Sequence, residues 1–384
     1  GIEDHGRHSG GVQRGSLITM QGRFPVYGLD LQTACPGEIL ESPHEVTIDS
    51  SWRTMWQSAF PASSRISTSV EYATGCGLDE IAIPASMLLN MTLCFSVEPF
   101  SQTCRLHLGL ENARQEAVVR EGDTFRSFTR LDRMGNTSRG DASVIHTTHI
   151  LVNQRDERVF SLLKRSYYDP IPQPVERESK PDQGKNSSYF DGVGQSLIDR
   201  FQSVEKFPDA PIEALSVDDV ILHPAVRPIG WTENLALSTI YRNTHPIHWD
   251  AQRYGRDGIV VCGGFVQALV FAICDRELRQ VIDEVLERSS HVNTIAPEDR
   301  IGAVSRVLSV EQIDSHLEAV RIKTLGLKNV DVEKELVGVE IPADLLDDQE
   351  RKPSEIEAIC QAQCPTLSGK IALQAIRSII RPRN

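Results

Sequence analysis

The chain carries one long internal echo. Val119-Arg120-Glu121-Gly122-Asp123-Thr124 opens a strand-like run ending near Arg130 and Leu131. Ile295-Ala296-Pro297-Glu298-Asp299-Arg300 opens another, ending near Arg306 and Val307. A repeat with so long a period is a duplicated domain and not a solenoid unit. The length of 384 residues agrees, being too great for one ordinary core. Between the halves, Asp169-Pro170-Ile171-Pro172-Gln173-Pro174 stiffens the path, and the Lys/Asp/Asn/Ser run behind it cannot bury itself.

Periodicity predicts helices over 50–60, where Trp52, Met55, Trp56 and Ala59 recur at spacings of three and four, and over 80–99, 231–241 and 263–287. Strand-like runs separated by turn formers cover 104–115, 123–133, 143–153 and 159–168, then 300–309, 316–327 and 332–341. This is an α+β pattern, written twice. It divides into an extension (1–44), a first domain (45–168), a linker (169–189), a second domain (190–345) and a tail (346–384). The tail reads as helical, with a capping-box pattern at Ser354-Glu355-Ile356-Glu357 and an amphipathic stretch over 370–380 that would pad a surface or a dimer contact.

A formal net charge of -13 argues against a nucleic-acid partner, which requires a basic surface, but leaves room for a local basic pocket. The eight cysteines have no zinc-ribbon spacing and several sit in apolar runs, the usage of reduced thiols in a cytoplasmic protein. The polar start lacks a signal-peptide core. The longest apolar run, 258–274, contains Gln267 and paired glycines, is short for a membrane span and reads as a buried helix. His146 and His149 would face opposite sides of a strand, so no metal is expected there.

The segment that carries chemistry is Tyr241-Arg242-Asn243-Thr244-His245-Pro246-Ile247-His248-Trp249-Asp250, followed by Gly263-Gly264 at the start of the apolar helix. Helix starts leave N–H groups unpaired, and the dipole favours an anion there. Water addition to a double bond conjugated with a thioester needs a group to take a proton, and donors for the enolate-like oxygen. The segment supplies both.

These residues resemble the active-site motif of the MaoC-like, R-specific enoyl-CoA hydratases. His248 falls at the family histidine and Gly264 at the glycine whose N–H serves the oxyanion hole. Asn243 stands where many members carry Asp. The order Asn-Thr-x-x-x-His after a Tyr is most similar to the β-methylmalyl-CoA dehydratase (mesaconyl-CoA hydratase) subgroup. His107-Leu108-Gly109-Leu110, Gly122-Asp123-Thr124, Asn153-Gln154-Arg155 and His291-Val292-Asn293 look like further landmarks of it. The resemblance implies a double hotdog, two tandem domains each with a helix wrapped by an antiparallel sheet. One site survives, because residues 74–84 of the first half contain no histidine. It further implies His248 as base, Asn243 aiming the water and the Gly264 N–H at the enolate oxygen. Gly263 and Thr244 belong to the substrate side, and Arg65 matches an arginine that would hold a substrate carboxylate. The expected partner is an acyl-CoA thioester, with no other cofactor, in a homodimer or larger homo-oligomer. His245 reads as a loop residue, and Gly263 and Gly264 could equally serve close helix packing. Competing readings are a straight-chain or biosynthetic dehydratase, and a non-catalytic acyl-CoA-binding hotdog protein.

Overall fold

Two helices explain the architecture, because each is apolar on all sides. α3 (Ala85–Phe95) buries nine of its eleven residues, and α7 (Gly263–Leu278) is buried continuously from Gly264 to Cys274. A helix without a polar face must be wrapped. The computed structural model, which describes residues 22–172, 185–192, 197–209 and 212–383, shows what wraps them.

In the first half, β1 (Ile39–Glu41), β2 (Val46–Thr47), α1 (Ser50–Ala59) and the short α2 (Val70–Gly75) precede α3, and four strands follow it: β3 (Leu106–Gln115), β4 (Thr124–Asn136), β5 (Ser143–Val152) and β6 (Arg158–Tyr168). After the short α4 (Ile198–Gln202), the second half repeats the order. β7 (Val220–Pro228), α5 (Trp231–Ile240), the one-turn α6 (Ala251–Tyr254) and α7 lead to β8 (Asp283–His291), β9 (Arg300–Gln312) and β10 (Leu317–Lys328). An insertion carrying α8 (Val332–Glu335) and α9 (Pro353–Gln363) then delays the last strand, β11 (Ile371–Pro382).

All pairings are antiparallel, and β3 pairs with β8, so both halves share one eleven-stranded sheet in the order β1-β4-β5-β6-β3-β8-β11-β10-β9-β7, with β2 beside β4. α3 packs on β3, β5 and β6, α7 on β7 and β9, and the two helices meet at the centre. The α+β double hotdog expected from the sequence is the fold observed. No helix among the described residues is long and apolar enough to cross a membrane.

Three expectations are corrected. The tail 346–384 is not helical throughout: α9 is a helix, but 370–380 belongs to β11, held between β8 and β10 in the sheet. The second domain therefore runs to the end of that strand, past 345. Alternation is lost because both faces of β11 are covered; the insertion packs Leu345, Leu346, Ile356, Cys360 and Leu367 over the outer face of the sheet. A strand buried on both faces reads as a continuous apolar run. Second, 332–341 is α8 and loop, since the repeat's last strand lies beyond the insertion. Third, the helix predicted over 263–287 ends at Leu278. Arg279 and Gln280 turn left-handed (φ 57° and 48°) with no glycine to announce the stop, and β8 starts at Asp283.

The extension is also less separate than a boundary at 44 implies. β1 pairs with β4 (Ile39 opposite Arg130), and Leu29 and Ala34 pack with Phe100, Leu131 and Tyr168. Of the linker, 173–184 lies outside the described residues; at its far end Tyr189 packs against Phe128 and donates from its hydroxyl to Asp156 (2.6 Å).

Candidate active site

The motif loop begins where α5 ends. Arg242 adopts φ 62°, an uncommon conformation away from glycine that costs roughly 1–2 kcal/mol. It turns the chain so that the Asn243 N–H meets Ser238 O at 2.8 Å. A single 3₁₀ turn, Pro246–His248, then presents His248. Asn234 Nδ2 of α5 donates to the His248 carbonyl (2.7 Å), and His248 Nδ1 lies 2.8 Å from Val260 O. A carbonyl can only accept, so Nδ1 carries a proton, and in the neutral imidazole it is Nε2 that has the lone pair. The tautomer required of a general base is thus set by the backbone at Val260.

His248 and Asn243 line a cavity of about 700 Å³ with Gly263 and Gly264, which also receives Leu93 and Cys94 of α3 and His291 of β8. Asn243 is 5% exposed, and its Oδ1 accepts the His245 N–H at 3.2 Å. One lone pair is thereby taken, leaving the other for a water. At the start of α7, Phe265 and Val266 donate to the Cys262 carbonyl, whereas Gly263 and Gly264 find no backbone acceptor among the described residues. Cys262 reports the local field. Contact with Cys94, the neighbouring His248, and the N–H groups of Gly264 and Phe265 pull its thiol below the ordinary range against the effect of burial. An enolate oxygen at the same helix start would meet the same field.

Three other histidines are poor bases. Burial pushes His291 down to about 4; burial, then the nearby His248, takes His245 to about 4; and His107 is driven down by burial, Lys164 and His291. The His107 and His291 rings meet edge-on at 5.2 Å.

The glycines are also packing residues. A Cβ on Gly263 would approach His291 Nε2 to 2.5 Å, and one on Gly264 would fall on Asn90 Oδ1 of α3, within contact distance. Asn90 is fully buried and its Nδ2 donates to Gly264 O (3.1 Å) and Ser86 O (2.9 Å). Gly264→Ala is therefore expected to cost about 1–3 kcal/mol by overpacking the helix crossing. Adding Asn90→Ala should return part of that loss, a coupling that urea melts of both single variants and the double would measure.

Two assigned residues are not part of this cavity. Thr244 turns to the first half instead, where its hydroxyl donates to Gln102 Oε1 (2.6 Å) and Gln102 Nε2 donates to Thr244 O (3.2 Å). It anchors the loop across the two halves. Arg65 is exposed on a 3₁₀ turn, its N–H donating to Gln280 (3.1 Å), and its neighbours Ser64, Ile66 and Ser67 line a different, smaller cavity. That cavity, about 90 Å³, lies at the start of α3, the counterpart of the α7 site. Its wall carries Asp79, Glu80, Asp275, Asp283 and Glu284 against one arginine, Arg120, a poor setting for an anionic thioester.

Burial raises the Asp283 carboxyl to about 7. The folded protein then binds a proton that the unfolded chain releases near pH 4, so this stabilisation is present at low pH and is lost as pH rises through 7. Asp283→Asn should accordingly gain stability over the natural protein by roughly 1–3 kcal/mol at pH 8.5 but little at pH 5. Denaturant melts at the two pH values test the sign.

Sequence reasoning missed Lys164, although it occupies an inward position of β6 beside Leu162 and Ser166. The rim residues Arg105, Arg165, Arg351 and Lys352 were also missed, the last two because they belong to the insertion. His146 and His149 do stand on opposite faces of β5: His149 is buried between Thr129 and Thr147, and His146 faces Arg133.

No family model matches the chain. It is 24% identical over 304 residues to a mesaconyl-CoA hydratase of Cereibacter sphaeroides, covering 76% of this chain and 87% of that protein. It is 22% identical over 300 residues to a β-methylmalyl-CoA dehydratase of Chloroflexus aurantiacus, covering 72% and 81%. Among solved structures, a MaoC domain protein from Chloroflexus aurantiacus superposes with a TM-score of 0.69 at 18% identity, over 93% of this chain and 98% of that one. A Mycobacterium tuberculosis protein described as a double hotdog superposes with a TM-score of 0.63 at 13% identity, over 92% and 98%. The fold is thus the double hotdog of these structures, and in sequence the chain is similar to the two hydratase and dehydratase relatives.

Proposed function

We propose that the protein is a hydro-lyase that adds water to, or removes it from, an enoyl-CoA thioester at one site in its second half. The observation that carries this reading is the His248 Nδ1 bond to Val260 O, in a residue lining a cavity that begins at a helix start where two N–H groups have no backbone acceptor among the described residues. In the hydration direction, His248 Nε2 takes a proton from water while Asn243 aims the oxygen at C3. Charge passes to the thioester oxygen, which the Gly264 N–H, with Gly263 beside it, stabilises. The proton then returns from Nε2 to C2, on the face the water attacked, so the addition is syn. The rim arginines and Lys352 face the phosphates of CoA.

The acyl group is a short, branched one with a second carboxylate, as in mesaconyl-CoA and β-methylmalyl-CoA. The names of the two relatives support this, although their identity to the chain is low. The eight cysteines, all free thiols, fit a cytoplasmic setting, and a homo-oligomer completes the reading. Mass spectrometry after incubation with mesaconyl-CoA and, separately, crotonyl-CoA tests it. A product heavier by one water is expected. Binding of both thioesters without turnover in either direction would leave a non-catalytic acyl-CoA-binding protein.

A further inference from the structure

The interior of the large cavity holds a buried lysine with no carboxylate to match. Lys164 is 6% exposed on the inward face of β6, and it lines the cavity with His107, Cys94, Asn243 and His248. Among the described residues, its ammonium makes no hydrogen bond and no ion pair. Around it are the Phe100 ring, whose centroid is 5.5 Å away, and the thiols of Cys104, Cys262 and Cys94. The one carboxylate in the cavity wall, Glu350, is at the rim and is paired with Arg165 at 2.7 Å. A buried ammonium without a partner is costly, and stacking on an aromatic ring offsets only part of that. The positions before and after Lys164 on the same face hold Leu162 and Ser166, so a small or apolar residue would fit the place. Other buried cations of the fold have a carboxylate or carbonyl beside them: Arg377 pairs with Glu284 (2.7 Å), Arg381 with Glu318 (2.7 Å), and Lys323 donates to Gln349 O (2.7 Å).

We infer that Lys164 binds the distal carboxylate of the acyl group and sets the preference for carboxylated enoyl thioesters. This inference rests on the hydratase reading above and assigns a substrate subsite within it. CoA itself brings anions only at its phosphates, which the rim arginines meet, and the thioester oxygen is provided for at the start of α7. What remains to enter the interior beside His248 is the acyl chain. In an unsaturated thioester of the mesaconyl type, the second carboxylate sits on the carbon that water attacks. Its charge repels the approaching oxygen, which carries increasing negative charge as His248 removes its proton. A cation at that carboxylate both holds the substrate and relieves the repulsion. Arg65, exposed beside the far end of α7 and outside the wall of this cavity, is in no position to do either.

The test compares the full-length natural protein with Lys164→Met, which keeps the length of the side chain and removes its charge. Lys164→Gln serves if the first variant does not fold. Turnover of mesaconyl-CoA and crotonyl-CoA is measured, together with binding of the saturated analogues methylsuccinyl-CoA and butyryl-CoA, which cannot be hydrated. The natural protein should prefer the carboxylated member of each pair. The variant should lose ~10²-fold in kcat/KM on mesaconyl-CoA, the scale for removing one partner of a buried charge pair, and change less than about threefold on crotonyl-CoA. Its binding preference for methylsuccinyl-CoA should vanish. Equal losses on both substrates, or a natural preference for crotonyl-CoA, overturn the assignment while leaving the hydratase reading intact. If the natural protein hydrates neither, the hydratase reading fails, and the binding pair alone decides whether Lys164 recognises a carboxylate.

Discussion

His248→Ala should leave a folded protein that binds acyl-CoA but turns over at least ~10²-fold more slowly, the usual scale for a positioned acid–base group. His248 is partly exposed and packs in no hydrophobic cluster, so truncating it creates no core cavity. Its loop keeps the anchors that do not use the imidazole, from Asn234 Nδ2 to the residue's own carbonyl and from Thr244 to Gln102. No neighbour can substitute for it. His245 and His291, held near 4 by burial, are too weakly basic to accept a proton efficiently at neutral pH, and Asn243 has no titratable proton. Steady-state kinetics on a purified variant with an unchanged melting curve give the answer. Turnover close to that of the natural protein would remove His248 from the mechanism.

That Asn243, His248 and the start of α7 share one cavity was legible in the sequence because they lie on one continuous segment. Lys164 was not, because its meaning depends on β6 facing the same space as a loop some eighty residues later. A lysine in a half-buried strand usually turns outward, and register decides the matter only when one strand face is known. Thr244 failed for the opposite reason. Its place within the motif suggested the substrate, but a side chain in a motif can point elsewhere, and this one crosses to Gln102. Arg65 was carried by resemblance alone, and the fold puts it beside Gln280, past the far end of α7. The duplication was visible in the loops preceding β4 and β9. Its final strand was hidden by the insertion, which both displaced β11 along the chain and covered its outer face.

That displaced strand yields the largest expected effect on stability. Ending the chain after Gly369 should give no soluble folded protein. β11 pairs with β10 from Leu317 to Leu327 and with β8 from Asp283 to His291, so its loss opens two strand edges in the middle of the sheet. It also takes Leu373, Ile376 and Ile379 from the core, each no more than 1% exposed, and removes Arg377 and Arg381 from Glu284 and Glu318. Leaving one member of a buried ion pair without its partner costs about 3–5 kcal/mol, against a total stability of about 5–15 kcal/mol for a typical domain. A surface-padding helix at the same place would predict the reverse, a truncated chain that remains folded and active. Because an insoluble product gives no free energy, the quantitative companion is Ile379→Ala, expected to cost about 2–5 kcal/mol in a urea melt as a fully buried aliphatic residue. A truncated chain with intact turnover, or an Ile379→Ala cost below about 0.5 kcal/mol, the range of ordinary surface changes, would show that β11 is not part of the sheet.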